Sequence, residues 1–519
     1  MKYPSQNESR IDDFKGRLFE GIVSDIKRCW PWYSRDFTDG LHPKALASTL
    51  FLYFACLAPA ITFGGFMAIA TNGSIGAIEM LVATAIGGTV WALFSGQPLI
   101  ILGGTGPILV LTEILYILCR QLDIPFLPVY GWVGLWTAAF TLILAITNAS
   151  SLIHYFTRFT NEIFAALISV IFIVEALQKL FDWGSPKESV LLSLLLGLGT
   201  FYIAIALSQF RKSRFLLSRM REFLADFGAT IAVVSMTAIA YFYFSDVTME
   251  MLDVPKKFQT TSGRPWIIDL FGVPTWIILG AIGPAIFTTI LVYLDQNITA
   301  RLVNSEDNKL KHGAGYHLDL SLVGILIGVF SLFGLPWLVA ATVRSLNHLR
   351  SLATIKEIVS QTGDKKDRII HVRENRVTGL ALHILIGVSL LFLPYLRLIP
   401  MPVLYGLFLF MGVVSMAGNQ FFERLSLWGM DVKLYPLNHY TRYVPKYVIH
   451  KFTFIQAACL AILWFLKTST LAILFPLFIA LLVPIRLFIG RFFKPRYLEA
   501  LDAERELSDE EIREPGASV

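Results

Sequence analysis

The sequence predicts an all-α polytopic membrane protein of about fourteen transmembrane segments, arranged as two inverted repeats of seven. Three observations carry that prediction. Hydrophobic residues make up 55% of the 519 and charged residues only 16%, whereas a soluble chain usually carries about 25% charged residues. Apolar runs of bilayer-crossing length recur from Ala45 to Ile489. The Lys and Arg residues between them gather in alternate loops, as they do when those loops face the cytoplasm.

Taken in order, residues 1–44 mix acids and bases (Arg10, Asp12, Asp13, Lys15) and hold no short apolar run beside a small-residue cleavage site. They read as a cytoplasmic tail with room for an amphipathic helix, and not as a signal peptide. Apolar segments follow near 45–70, 77–95, 106–118, 129–149, 159–181, 189–209 and 225–244, then near 273–299, 319–333, 338–350, 377–399, 402–420, 449–467 and 470–489. Two are too short to span, 106–118 and 338–350. Basic clusters stand at Arg211, Lys212, Arg214, Arg219 and Arg221, at Lys365, Lys366, Arg368, Arg373 and Arg376, and at Arg486, Arg491, Lys494 and Arg496. Loops 120–128 and 392–401 hold one Arg each, and loop 245–272 mixes bases with acids. This pattern places both termini in the cytoplasm, with 45–244 and 273–489 as the two repeats and 245–272 as an extracellular loop. Residues 490–519 form a second cytoplasmic tail, acidic at Glu504, Glu506, Asp509, Glu510 and Glu511. The formal charge of +6 belongs to the loops and does not point to nucleic acid. Cys29, Cys56, Cys119 and Cys459 show no metal or disulfide spacing.

The halves echo one another. Pro59-Ala60-Ile61 in the first segment has a counterpart in Pro284-Ala285-Ile286 in the eighth. Gly96-Gln97-Pro98-Leu99 and Gly103-Gly104-Thr105-Gly106-Pro107 lead into one short segment, and Gly334-Leu335-Pro336-Trp337 and Ala340-Ala341-Thr342-Val343-Arg344 into the other. Seven segments per half reverse the direction of the second half. Paired short segments interrupted by Gly and Pro mark the binding site of such transporters. Two half-helices would meet near the midplane with N-termini facing, each offering free N–H groups and partial positive charge to an anion. Two kinked helices packed through small residues are the plainer reading. The echo in register favours the site.

Ionisable groups inside spans are costly and are usually functional. Arg344 lies two residues past Thr342 and either joins the anion site, pairs with a carboxylate or snorkels outward. Asp295 and Thr299 are four apart, hence on one helix face, and suit sodium or a proton relay. Glu113 lies on the first half-helix. Glu162 and the Glu175–Lys179 pair read as structural. No nucleophile–base pair or metal cluster appears, so an enzyme is not expected.

At these residues the sequence resembles the bicarbonate transporter family, solute carrier family 4, which includes the red-cell anion exchanger band 3 and the sodium–bicarbonate cotransporters. The resemblance rests on PAITFGG at Pro59–Gly65, GQPL at Gly96–Leu99, RFTNEIF at Arg158–Phe164, DQNIT at Asp295–Thr299, GAGYHLDL at Gly313–Leu320, FGLPWLVAATVRS at Phe333–Ser345 and IPMPVLYGLFLFMGV at Ile399–Val413. It implies a core domain, a gate domain and a homodimer held through the gate. It implies bicarbonate or carbonate as substrate, bound at Thr105, Gly106, Thr342, Val343 and Arg344. It gives Asp295, Thr299 and Thr62 an ion-coupling role, with sodium at Asp295 and Thr299 and no other cofactor. Asp295 falls at a position where the exchangers resemble a glutamate and the sodium-coupled members have aspartate, so DQNIT and GAGYHLDL resemble the sodium-coupled branch. Arg344 in TVRS resembles the chloride/bicarbonate exchangers. The animal members' large N-terminal domain has no counterpart in residues 1–44, which suggests a minimal, microbial-type member. The expectation is a sodium-coupled bicarbonate or carbonate transporter working by alternating access in a plasma or bacterial inner membrane, with sodium and/or chloride as co-substrates. Chloride/bicarbonate exchange, borate transport and a passive anion channel are the alternatives.

Overall fold

The computed structural model describes residues 17–502, apart from 151–156, 182–185, 211–212, 245, 256, 360–364, 437 and 470–471. Arg10, Asp12, Asp13, Lys15, Arg211, Lys212 and the acidic residues Glu504 to Glu511 therefore lie outside the described residues. The chain opens with an amphipathic helix, α1 (Glu20–Thr38), and enters the bundle through α2 (Pro43–Ala70) and α3 (Ala77–Phe94). Strand β1 (Leu102–Gly103) precedes α4 (Gly106–Gln121), α5 (Phe126–Ile146), α6 (Arg158–Leu180), α7 (Lys187–Gln209), α8 (Ser218–Asp226) and α9 (Gly228–Tyr243). Next come α10 (Thr275–Gly280), α11 (Ile282–Val303), α12 (Tyr316–Phe333), β2 (Val339–Ala340), α13 (Thr342–Leu352), and a hairpin of β3 (Ala353–Val359) and β4 (Lys365–Val372). The rest is α14 (Val377–Ser389), α15 (Leu393–Leu396), α16 (Met401–Met416), α17 (Gln420–Ser426), α18 (His439–Tyr443), α19 (Lys446–Thr468), α20 (Phe475–Ile489) and α21 (Pro495–Asp502).

Among the described residues, ten helices are long and apolar enough to cross a membrane, and twelve if the bent pairs α8–α9 (68°) and α16–α17 (81°) count as one span each. The short helices α4 and α13 complete the fourteen segments that the sequence predicts. Large apolar side chains such as Leu195, Phe242 and Phe465 stand exposed on these helices. Such a surface suits lipid and not water.

Two features depart from an all-helical reading. The second short helix begins at Thr342 and not near 338, because Val339 and Ala340 are extended and pair antiparallel with Leu102 and Gly103. Prolines at Pro98 and Pro336 remove a backbone donor ahead of each extended stretch, and the freed groups find partners across the pair. The basic loop after α13 is a β-hairpin, with Ala353 opposite Val372 and a register shift at Thr354/Ile355. Its alternation of β-branched and charged residues, Thr354 to Val359 and Lys365 to Val372, is a strand pattern.

The chain divides into two compact units. One is Met1–Ser151 with Val174–Phe410, and the other is Leu152–Ile173 with Met411–Val519. They are not the two halves of the sequence. In the first unit, α5 packs on α11 and α12, α3 lies against α2 and α14, and α7 lies against α9. Gly96 and Gly315 meet there so closely that a Cβ on Gly96 would lie 2.9 Å from the Gly315 Cα. The second unit is built around Arg424, which is fully buried and bonds Glu162, Gln420 (3.2 Å) and Gln456 (2.8 Å). Glu162 also takes a bond from Arg158 at 2.9 Å, which bears out its structural reading.

Candidate functional site

The site is assembled where β1 crosses β2 in the first unit. Thr105, the residue before α4, is extended (φ −127, ψ 156), as is Ala341 before α13 (φ −93, ψ 102). Neither helix start has a side-chain cap. Their leading N–H groups are therefore left for something else in the site. The strands bring these two starts together, and two side chains and a backbone bond fix the crossing. Gln296 Oε1 accepts the Ala340 N–H (3.1 Å), Ser345 Oγ accepts the Ile101 N–H (3.0 Å), and Ile101 O accepts the Ala341 N–H (2.8 Å). His348, on α13, reaches Leu99 O (3.0 Å) through Nδ1 and Thr378 Oγ1 (2.6 Å) through Nε2.

Helix α11 runs beside the crossing and presents Asp295 and Thr299 to it, one to each half-helix. Thr105 Oγ1 donates to Asp295 Oδ2 at 2.7 Å. Thr299 Oγ1 lies 2.7 Å from Thr342 Oγ1 and also donates to Ala340 O at 3.3 Å. Arg344 is 8% exposed and Asp295 6%. The guanidinium crosses from α13 to the other strand, where Nη2 donates to Gly104 O at 2.7 Å. Nη1 is buried with no hydrogen-bond partner among the described residues. The guanidinium fits because residue 103 is glycine: a Cβ there would fall 2.2 Å from Nη1. Phe63 and Met80 close the wall behind Gly104.

Of the residues the sequence picks out, Thr105, Asp295, Thr299, Thr342 and Arg344 come together, and Gly106 opens α4. Val343 is 50% exposed, unlike the buried Arg344 beside it. The Thr62 hydroxyl bonds back to Ala58 O (2.8 Å) in its own helix, and it is the next residue, Phe63, that reaches the crossing. Asp295 and Arg344 form no ion pair. The first is turned to Thr105 and the second to Gly104. Gln296, Ser345 and His348 were not anticipated, although each lies within or beside a quoted motif. Their signal was a polar side chain in an apolar stretch, which must find a partner when buried.

A bundle holding two crossed, uncapped half-helices over one buried cation and one buried carboxylate is the architecture of a transporter membrane domain. The chain belongs to the family of the HCO3- transporter integral membrane domain, whose model matches residues 17–187 and 183–506. It is 40% identical over 561 aligned residues to the sodium bicarbonate cotransporter 3 of Homo sapiens, with 94% of this chain and 46% of the relative covered. It is 39% identical to the electroneutral sodium bicarbonate exchanger 1 of Mus musculus (94% and 51%) and 39% identical to the sodium-driven chloride bicarbonate exchanger of Bos taurus (94% and 50%). The chain spans about half the length of these curated relatives. Among solved structures it resembles the transmembrane domain of a cyanobacterium bicarbonate transporter, BicA, with a TM-score of 0.56 at 18% identity over 81% of this chain and 98% of that one. It also resembles murine solute carrier 26 family member A9 in the inward-facing state, with a TM-score of 0.62 at 13% identity over 95% and 77%. These likenesses show the fold.

Proposed function

We propose that the protein moves bicarbonate or carbonate across a membrane by alternating access, coupled to sodium. One observation carries this reading: the uncapped starts of α4 and α13 converge on a buried guanidinium with an unpartnered Nη1. Two helix N-termini and Arg344 supply positive potential and donors without an internal counter-ion, which is what an anion needs. Thr105, Gly106, Thr342 and the Val343 backbone line this seat. Asp295 supports the coupling. Its carboxylate is not neutralised by Arg344, and hydroxyls of Thr105, Thr299 and Thr342 stand around the crossing. Oxygens of this kind suit a hard cation such as sodium. The sodium-coupled relatives favour the same reading.

Chloride/bicarbonate exchange is the second reading, favoured by Arg344 as a fixed positive charge that balances a single anion. Borate carriage and a passive channel find no separate support. We further assign the ends of the chain to the cytoplasm of a plasma or bacterial inner membrane, loop 245–272 to the outside, and the working unit to a homodimer. The test is bicarbonate flux into proteoliposomes with sodium and chloride varied independently. Sodium-driven accumulation supports the proposal. Uptake that needs chloride on the opposite side and ignores sodium replaces it with exchange.

A further inference from the structure

We infer that Asp36, His312 and Glu374 form a buried proton-binding site that fastens α1 to the loop before α12 and to the segment entering α14, and that lets go as pH rises. The three side chains are all buried. The imidazole of His312 lies between the two carboxylates, with Nε2 3.2 Å from Asp36 Oδ1 and Nδ1 3.4 Å from Glu374 Oε2. A neutral imidazole has one N–H and one lone pair. Whichever nitrogen carries the lone pair therefore faces a carboxylate oxygen. Both contacts are attractive only when the cluster holds one more proton, on the ring or on a carboxyl.

The neighbouring charges decide where that proton sits. Arg376 donates from Nε to Asp36 Oδ2 (3.0 Å) and from its other nitrogens to Ala92 O and Ser95 O. Its charge is thus matched by Asp36. Glu374 has the backbone N–H of Lys311 (2.5 Å) and of His312 (3.4 Å) but no buried cation of its own. The Lys311 side chain is exposed, Asp39 just past the end of α1 acts on both His312 and Asp36, and Lys311, Arg373 and Asp39 act on His371 in β4. The Trp32 ring lies tilted with its centroid 5.4 Å from that of the imidazole, and Tyr33 lies 4.9 Å below the Arg376 guanidinium, so little water reaches the site. Burial pushes the Glu374 carboxyl up to about 7 and Asp36 up to about 6. Burial, then Arg376 and Lys311, push His312 down to about 4. Glu374 is then the proton's seat: its O–H donates to Nδ1, and Nε2–H donates to Asp36.

The sign follows. A carboxyl raised from 4.5 to about 7 favours the closed cluster fully below 4.5, and that help is lost as pH climbs through about 7. Between pH 6 and 8.5 the closed state loses a factor of about ten from this one group. Opening frees the end of α1, whose Asp25 also accepts the His317 and Leu318 N–H groups at the start of α12 (2.8 and 3.1 Å).

Hydrogen exchange of residues 20–38, measured by mass spectrometry on the whole protein in lipid nanodiscs and corrected for intrinsic rates, tests this. Protection should fall about tenfold from pH 6 to 8.5. In Glu374→Gln, whose amide donates to Nδ1 at every pH, it should fall by no more than about twofold, the part that Asp36 supplies. Protection that does not change in the parent protein, or that falls equally in Glu374→Gln, overturns the proposal. Infrared pH-difference spectra of the parent protein give an answer even if the variant does not fold. A protonated-carboxyl band that disappears near pH 7 is expected, and its absence rejects the site.

Discussion

Replacing Arg344 by Gln keeps a donor able to reach Gly104 O but removes the positive charge and the unpartnered Nη1. The bond at 2.7 Å to Gly104 O anchors the side chain, and an amide keeps a donor of the same kind for it. An anion in the seat would lose one charge-assisted hydrogen bond, worth about 1.5–3 kcal/mol. At about 1.4 kcal/mol per factor of ten, that is a rise of roughly 10- to 150-fold in the bicarbonate concentration for half-maximal flux. The assay is initial uptake into proteoliposomes over a series of bicarbonate concentrations, with thermal unfolding of the same preparation as the control for folding. A half-saturation value within about threefold of the parent's, in a protein that unfolds at the same temperature, would refute the placement of the anion at Arg344.

Asp295→Asn removes the carboxylate while retaining an acceptor for the Thr105 hydroxyl, and it should abolish the response to a sodium gradient while leaving the detergent-solubilised protein folded; a sodium response equal to the parent's would falsify the coupling role. Gly103→Ala places a methyl 2.2 Å from Arg344 Nη1, and so should cut bicarbonate flux at least as far as Arg344→Gln does; full flux would show that the guanidinium can sit elsewhere. Arg424→Ala takes away the fully buried partner of Glu162, which keeps Arg158 and Gln456, and removing one member of a buried pair costs about 3–5 kcal/mol. Thermal unfolding should shift clearly downward, and no shift would mean that the ion pair contributes nothing to the second unit.

Much of this architecture is written in residue chemistry that needs no coordinates. Apolar length gives the spans, and Pro98, Pro336 and the glycines near them mark where helix must stop at membrane depth. Asp295, Arg344 and the threonines declare themselves by being polar where polarity is costly. What escaped is what depends on two distant stretches meeting. Leu102 and Gly103 look like any apolar loop until Val339 and Ala340 lie beside them. Thr299 is four residues from Asp295 and shares its helix face, yet the two serve opposite half-helices, Asp295 through Thr105 and Thr299 through Thr342. The charge of Glu162 was correctly taken as structural, but Arg424, 262 positions away, carries no local pattern that names it as the partner. The β-hairpin after α13 was legible in its alternation, and the density of Lys and Arg drew the reading to a loop instead.

The two-residue pairing of β1 with β2 has a genetic consequence. Neither half of the chain owns the seat: Thr105 and Gly104 come from one, Thr342 and Arg344 from the other, and the guanidinium of the second half rests on a glycine of the first. Each half thus inherits its usefulness from the other. A substitution at Gly103 and one at Arg344 are expected to be judged as a pair by selection, although they stand 241 positions apart, and a half expressed alone carries only one side of a binding site.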